Sequence, residues 1–172
     1  SSRAVPTRTT LRDRSGTLIG LIDDAGADPR IDEIILNPPQ IRSLKNRDGD
    51  TLYGAYYAPA SRRPGEKAPL VVMVYGGPHV QTVTESWSMT SDLHAQLLVR
   101  HGFAVWKMDN RGSTRRGHAF EAALNRKMGT VEVLDQIDGV SFITSLKPGI
   151  DAARVGITGR SYGGYMTLKC LT

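Results

Sequence analysis

The alternation of apolar and polar residues changes character near Leu70. Before this residue, short mixed segments separated by turn-forming residues are typical of antiparallel hairpins. Gly16 and Gly49 lie in two of the turns, and residues 61–69 predict a surface connection because Ala68 is their only apolar side chain. The strands predicted in this part are 9–13, 17–22, 34–36, 41–45 and 51–58.

After Leu70, strand-like and helix-like segments alternate. Residues 70–75 form a continuous apolar run with three valines, bounded by glycines, as expected of a buried parallel strand. The pattern continues with a helix at 91–101 (Leu93, Leu97 and Leu98 at helical spacing), a strand at 103–108, a helix carrying Val133, Ile137 and Val140, a strand at 155–158 and a helix from Gly159 onward. Because right-handed crossovers between such strands build a parallel sheet covered by helices, the sequence predicts an α/β fold.

Composition and charge exclude several classes of protein. The chain has 172 residues, 40% of them hydrophobic and 23% charged, so it is neither collagen-like nor intrinsically disordered. Its longest apolar stretch is far shorter than the ~20 residues of a membrane-spanning helix. The net charge of +5 comes from dispersed Lys and Arg without interleaved aromatic residues, so no nucleic-acid partner is expected.

Cysteine content and the chain ends bear on the cellular setting. Cys170 is the single cysteine, which excludes an internal disulfide and indicates a reducing, cytoplasmic compartment. Cys170 itself is expected to be a small buried side chain on the last helix rather than a redox thiol. The chain begins at Ser1 without a charged-then-apolar leader and stops at Thr172 within a predicted helix, so we expect no signal peptide and a longer parent protein.

The turn between the last strand and the last helix has the sequence G-R-S-Y-G-G, residues 159–164. This is the G-x-S-x-G pattern of a nucleophile elbow, in the strand-then-helix context that the elbow requires. Ser161 is expected in a strained backbone conformation on a tight turn. The turn brings the strand and the helix so close together that side chains at residues 159 and 163 would collide. The alternative is a glycine-rich turn with an incidental serine.

A second candidate, Tyr75, follows the first buried strand and opens the sequence Y-G-G-P. In α/β-hydrolases, the loop after this strand supplies half of the oxyanion hole. The Tyr75 hydroxyl is a suitable donor if it lies within ~3 Å of the developing oxyanion. The alternative is a buried aromatic side chain that packs beneath a loop.

Three motifs in this order resemble the prolyl oligopeptidase family of serine peptidases, in particular its dipeptidyl peptidase IV-like branch. They are Tyr75–Pro78 (YGGP), Asp109–Ser113 (DNRGS) and Gly159–Tyr165 (GRSYGGY). The resemblance implies an α/β-hydrolase fold preceded by the end of a β-propeller. It divides the chain into a propeller remnant at 1–40 and the N-terminal part of the catalytic domain at 41–172.

The resemblance also implies the roles of the site residues. Ser161 is the nucleophile, and the Tyr75 hydroxyl and Tyr162 backbone N–H form the oxyanion hole, with the Tyr162 ring lining the pocket for the residue before the cleaved bond. The residues that shape the elbow are Gly159, Gly163 and Gly164. Asp109 and Arg111 are expected to form a structural surface ion pair. Arg160 departs from the family pattern, in which Trp is usual.

The catalytic base and its orienting carboxylate are not recognisable in the sequence. In α/β-hydrolases the triad follows the order Ser, Asp, His, whereas every histidine of this chain precedes Ser161. These histidines are His79, His94, His101 and His118. His79, near the oxyanion tyrosine, is a possible base, but a role in the loop is favoured. The chain alone is therefore expected to be inactive, since losing a triad member can cost ~10⁴- to 10⁶-fold in rate.

The remaining polar groups give no second site. His94 and His101 are too few for zinc, which takes three or four protein ligands, so neither a metal nor a cofactor is expected. Asp135 and Asp138 are expected on a solvated helix face.

The expected function is peptide-bond hydrolysis through an acyl-enzyme, releasing dipeptides, often X-Pro, from peptide N-termini. Within the family, an acylaminoacyl peptidase or an oligopeptidase is the alternative. A catalytically dead relative that uses the fold as an interaction surface is the alternative from another class. The expected partners are peptide substrates and a second copy of the full-length protein.

Overall fold

A computed structural model describes residues 1–61, 63 and 65–172 and shows a mixed β-sheet flanked by helices. The strands are β1 (Arg8–Arg12), β2 (Leu18–Asp24), β3 (Gln40–Lys45), β4 (Thr51–Tyr57), β5 (Ala68–Val74), β6 (Ala104–Asp109) and β7 (Ile150–Gly159). The helices are α1 (Arg30–Glu33), α2 (Trp87–Thr90), α3 (Leu93–Arg100), α4 (His118–Glu121), α5 (Val131–Leu146) and α6 (Tyr162–Lys169), with 3-10 turns at Ala25–Ala27 and Ala122–Leu124. Every helix in these ranges is too short or too polar to cross a bilayer.

The main sheet, within the described ranges, has five strands in the order β3-β4-β6-β5-β7. Strand β4 is antiparallel to both β3 and β6, whereas β5 runs parallel to both β6 and β7. This arrangement confirms the predicted α/β fold. Val74, the last residue of β5, pairs with Gly159, the last residue of β7, so the segments that follow both strands leave the sheet at the same edge.

Each face of the sheet carries its own apolar core. The side chains of β5 alternate between a cluster that includes residues of α5 and α6 and one that includes residues of α2 and α3. Leu70, Val72 and Val74 belong to the first cluster, and Val71 and Met73 pack against the second. Successive side chains of a strand point to opposite faces, so a sheet covered on both sides requires a continuous apolar run in β5.

The side chains whose spacing predicts the helices are only partly the ones that the helices bury: Leu98 of α3 and Val133 and Val140 of α5 pack against the cores. In α3, Leu93 and Leu97 are 60% and 55% exposed. The residues that α3 buries are Ala95, Gln96 and Val99. In α5, Ile137 is 49% exposed, and the buried residues are Glu132, Asp135, Gln136, Gly139 and Ile143. Both sets in each helix recur at the helical period, so the spacing predicts a helix without fixing which face meets the sheet.

The N-terminal part contains both predicted hairpins but not the strand predicted at 34–36. Strands β1 and β2 pair around the turn that contains Gly16, and β3 and β4 pair around the turn that contains Gly49. Residues 34–36 are irregular. They follow directly on α1 and precede Pro38 and Pro39, which have no N–H to give to a strand ladder.

The predicted connection at 61–69 is largely exposed. Residues 61, 63 and 65–67 are at the surface, and β5 begins at Ala68. Arg62 and Pro64 lie outside the described residues.

Strands β1 and β2 form a two-stranded sheet of their own. Its exposed apolar side chains are Leu11, Leu18, Ile19, Leu21 and Ile22. The residues before β1 nevertheless contact the main body, because Thr90 Oγ1 donates to the Arg3 carbonyl at 2.6 Å and Arg3 Nε donates to Glu85 Oε1 at 2.7 Å. The propeller origin of residues 1–40 and the division from 41–172 stay predictions.

Close packing in the sheet generates a stability prediction. Trp106 is fully buried, and a Cβ atom at Gly54 on the adjacent strand would lie 2.1 Å from its ring. In the protein that carries this sequence, we predict that Gly54→Ala lowers the free energy of unfolding by about 1–3 kcal/mol, measured by urea denaturation. Gly20→Ala is the matched control, because a Cβ there meets nothing within 4 Å. Equal losses in the two variants would contradict this packing.

Candidate active site

Ser161 lies in the turn between β7 and α6 and has an unusual backbone conformation. Its φ is 59° and its ψ is −122°, a combination that costs a non-glycine residue roughly 1–3 kcal/mol. Serine is a favoured N-cap residue, yet the Ser161 side chain makes no capping hydrogen bond to α6. The residue is exposed. The hydroxyl is therefore held at the edge of the sheet without being used to stabilise the helix.

The elbow is tight because the backbone of β5 lies directly against it. A Cβ at Gly159 would lie 2.4 Å from the Gly163 carbonyl oxygen and 2.5 Å from that of Val74, and a Cβ at Gly163 would lie 2.2 Å from the same Val74 oxygen. No side chain fits at either position. At Gly164, a Cβ would make an ordinary contact of 3.7 Å with Gly159 O, so steric exclusion does not require glycine there.

The backbone N–H of Tyr162 is the first of α6. The N–H groups that donate to the Ser161 carbonyl belong to later residues, Gly164 at 2.9 Å and Tyr165 at 3.2 Å. The first N–H groups of a helix have no acceptor within the helix, and the positive end of the helix dipole favours an anion beside them. The Tyr162 N–H is therefore suited to an oxyanion next to Ser161.

The Tyr162 side chain is fixed from inside the protein. Its hydroxyl donates to Glu132 Oε1 at 2.7 Å, and the same oxygen accepts the Gly129 N–H at 2.6 Å. Glu132 is fully buried. Burial first, and then the Glu132 carboxylate, raises the pKa of the Tyr162 phenol, which therefore remains a neutral donor. The ring position thus depends on Glu132, which the sequence motifs do not reveal.

Tyr75 directly follows β5 and lies beside Tyr162. The centroids of the two rings are 6.2 Å apart. A Cβ at Gly77 would lie 2.5 Å from Tyr162 Cγ, so the loop after Tyr75 packs directly against that ring. The structure therefore brings together the loop that carries Tyr75 and the turn that carries Ser161, as expected from strands that end at one edge of the sheet.

Comparison with known proteins identifies the family. The model of the prolyl oligopeptidase family matches residues 87–172. The chain belongs to the prolyl oligopeptidase family. Human dipeptidyl peptidase 8 is 41% identical over 151 residues, covering 88% of this chain and 16% of that protein. Dipeptidyl peptidase 4 of Trichophyton rubrum is 30% identical over 135 residues, covering 74% of this chain and 16% of that protein.

The structural comparison agrees with these relatives. A crystal structure assigned as a dipeptidyl aminopeptidase IV from Bacteroides ovatus superimposes with a TM-score of 0.83 at 33% identity, over 95% of this chain and 23% of the other. The similarity to dipeptidyl peptidases supports the dipeptidyl peptidase IV-like branch of the prolyl oligopeptidase family. The chain spans about a sixth of the length of the curated relatives described above.

The motif at 109–113 has a structural role, but it does not contain the expected surface ion pair. Asp109 and Arg111 do not pair with each other. Asp109 is buried and accepts hydrogen bonds from the Thr82 N–H at 2.7 Å, the Thr82 hydroxyl at 2.6 Å and the Val83 N–H at 2.9 Å. Burial raises the pKa of Asp109 although these donors oppose the rise. These hydrogen bonds connect residues 82 and 83, which follow the Tyr75 loop, to the end of β6.

Arg111 binds the buried face of α5, so the expectation of a solvated Asp135 is wrong. Asp135 is fully buried and accepts the Arg111 N–H and Nη2 at 2.8 Å each, and Asn46 Nδ2 at 2.9 Å. A buried carboxylate with these partners is stabilised by charge-assisted hydrogen bonds. Asp138, one turn on, is largely covered and pairs with Arg47 at 2.7 Å.

None of the histidines in the described ranges belongs to a cluster of metal-binding side chains. His79 has a positive φ of 62° and pairs with Glu121 through Nδ1 at 2.9 Å. Within the described ranges, no three His, Cys, Asp or Glu side chains are grouped to hold a metal ion. Cys170 is half-buried and packs against the α5–α6 core, where burial raises the pKa of its thiol.

A groove of about 300 Å³ runs along the edge of the sheet beside the elbow. Its lining includes Tyr75, His94, Lys107 and Arg160. The Lys107 ammonium is paired with Asp92, which also caps α3 by accepting the Ala95 N–H at 3.0 Å. Burial alone acts to raise the pKa of Asp92, but the hydrogen bonds from Lys107 and Ala95 outweigh it, and the pKa is lowered.

This pair generates a prediction about pH dependence. Because the pKa of Asp92 is lowered on folding, its contribution to stability is present above the ordinary carboxyl pKa of about 4 and is lost as the pH falls through the folded value. Lys107→Met removes the hydrogen bond and the charge of Lys107, both of which lower the pKa of Asp92, so the folded pKa is expected to rise and the pH-dependent contribution to decrease. We predict that the difference in unfolding free energy between wild type and variant shrinks from pH 6 to pH 3, measured by urea denaturation. A difference that is constant over this range would contradict the assignment.

Proposed function

We propose that this chain supplies the nucleophile and both oxyanion donors of a serine peptidase that acts through an acyl-enzyme. One observation carries the proposal: Ser161 is held at a positive φ between a parallel strand and a helix, with its hydroxyl unused as a helix cap. This is the conformation that a nucleophile elbow requires. Membership of a peptidase family supports the same assignment.

The proposed first step forms an ester on Ser161. Its Oγ attacks the carbonyl carbon of the substrate, and its proton passes to a general base. Negative charge then develops on the carbonyl oxygen, where the Tyr162 N–H and Tyr75 hydroxyl donate hydrogen bonds. Collapse of this intermediate breaks the C–N bond, and the amine leaves with the proton from the base. Water then attacks the ester, releasing the acid and regenerating the Ser161 hydroxyl.

We assign the general base and its orienting carboxylate to residues outside 1–172. The α/β-hydrolase order places both after the nucleophile, and the histidine next to the oxyanion loop, His79, is engaged by Glu121. Residues 1–172 alone are therefore proposed to be inactive. The division into a propeller remnant at 1–40 and a catalytic part at 41–172 belongs to the same proposal; it is supported by the separate pairing of β1 with β2.

The proposed substrates are peptides with a free N-terminus, from which a dipeptide, often X-Pro, is released. The relatives named dipeptidyl peptidase 8 and dipeptidyl peptidase 4 support this choice. An acylaminoacyl peptidase or oligopeptidase of the same family differs in the substrate's N-terminus, and a catalytically dead relative differs in having no activity at all. A cytoplasmic location and a homodimer of the full-length protein complete the proposal.

The test uses the complete protein that carries this sequence, a fluorophosphonate probe and chromogenic dipeptide amides. We predict that Ser161→Ala abolishes labelling and lowers kcat by ~10⁴- to 10⁶-fold, because the nucleophile is lost. Ser141→Ala, an exposed serine on α5, is the matched control and should keep both.

The outcomes separate the alternatives. Cleavage of a free-amine dipeptide amide but not of its N-acetyl form supports dipeptidyl release. Preference for the N-acetyl form supports an acylaminoacyl peptidase or an oligopeptidase, neither of which requires the free amine. An unlabelled and inactive wild type supports the dead relative and overturns the proposal, as does a Ser161→Ala variant with wild-type activity.

A further inference from the structure

Asn110, the residue after β6, connects the buried polar groups of α5 to the loop that carries Tyr75. Asn110 is fully buried. Its Nδ2 donates to the Gly76 carbonyl oxygen at 2.9 Å and to the Arg111 carbonyl oxygen at 2.6 Å. Its Oδ1 accepts Gln136 Nε2 at 2.9 Å. All three polar contacts of this side chain are therefore made inside the protein.

The orientation of the Asn110 amide follows from its neighbours. Gln136 Nε2 also donates to the Met108 carbonyl oxygen at 3.2 Å, so the amino group of Gln136, and not its oxygen, faces Asn110. The Asn110 oxygen must then face Gln136, and its amino group must face the two carbonyl oxygens. Only this orientation of the Asn110 amide can donate a hydrogen bond to the Gly76 carbonyl oxygen.

Gly76 directly follows Tyr75 in the chain, so the position of the Gly76 peptide affects that of Tyr75. Gly76 has a φ of +76°, and a Cβ there would lie 2.8 Å from Met166 Cγ of α6. Gly77 packs against the Tyr162 ring. The loop is therefore bracketed by apolar contacts on the α6 side, and Asn110 gives it a polar anchor from the end of β6.

We propose that Asn110 is a positioning residue that holds the Tyr75 hydroxyl in the oxyanion hole through the Gly76 carbonyl. This inference rests on the proposed function, because it assumes that Tyr75 stabilises the transition state. Asn110 is itself held on both sides, by Gln136 and by the Arg111 backbone, whose N–H donates to the buried Asp135 at 2.8 Å. The buried face of α5 thereby sets the position of a catalytic hydroxyl that it does not touch.

The expected signature is a loss in kcat. A displacement of about 1 Å in a catalytic group can cost ~10²-fold in rate, and removing one oxyanion donor costs ~10²- to 10³-fold. We predict that Asn110→Ala in the complete protein lowers kcat by about 10- to 100-fold and leaves KM near the wild-type value, because the donor acts in the transition state. A merely structural role would lower the melting temperature and leave kcat per folded molecule unchanged.

A double-mutant cycle tests whether Asn110 acts through Tyr75. Tyr75→Phe alone is expected to lower kcat by ~10²-fold or more. If Asn110 acts through the Tyr75 hydroxyl, the double variant loses little beyond Tyr75→Phe, whereas independent effects multiply. Multiplied losses, or a wild-type kcat in Asn110→Ala, overturn the inference. Arg47→Ala is the matched control: it breaks the pair with Asp138 on the same helix without contacting the loop, and it should leave kcat unchanged.

A second variant covers the case in which Asn110→Ala does not fold. Gln136→Met leaves the Asn110 side chain in place but removes the hydrogen bond that orients its amide, and it should also lower kcat. Failure of the inference differs from failure of the proposed function. In the first case Ser161→Ala is inactive and Asn110 has no coupling to Tyr75; in the second Ser161→Ala remains active, and both proposals fall.

Discussion

The contact between the end of β5 and the start of α6 is the constraint on which the site depends. The Val74 carbonyl oxygen lies so close to the elbow that neither residue 159 nor residue 163 has room for a Cβ atom. Between these two crowded positions Ser161 has a positive φ, and its hydroxyl makes no capping hydrogen bond to α6. The strain at Ser161 persists because one apolar core includes residues of β5, β7 and α6 and holds the strands and the helix in place.

Around this contact, buried polar groups do the positioning. Glu132 holds the Tyr162 hydroxyl, Asp135 holds Arg111, and Gln136 holds Asn110. All three lie on the buried face of α5, where an ordinary amphipathic helix would carry apolar side chains. Each of these hydrogen bonds offsets part of the cost of burying a polar group, so the three side chains help to define where the neighbouring loops lie.

The sequence predicts those parts of the fold and site that depend on local chemistry. The hairpins, the apolar run of β5 and the crowded elbow follow from turn residues, strand alternation and steric exclusion within a few positions. The polar face of α5 was not predictable in this way, because Arg111 and Asp135 are joined across the fold and no spacing pattern links them. The helical period likewise does not fix which face of α3 meets the sheet, and the structure buries Ala95 and Val99 while Leu93 and Leu97 are exposed.

A crystal structure of the complete protein with a fluorophosphonate adduct would show which residue reacts and where the oxyanion binds. We predict a covalent bond from Ser161 Oγ, with one oxygen of the adduct about 3 Å from both the Tyr162 backbone nitrogen and the Tyr75 hydroxyl. An adduct on another residue, or an adduct oxygen that faces away from both donors, would contradict it.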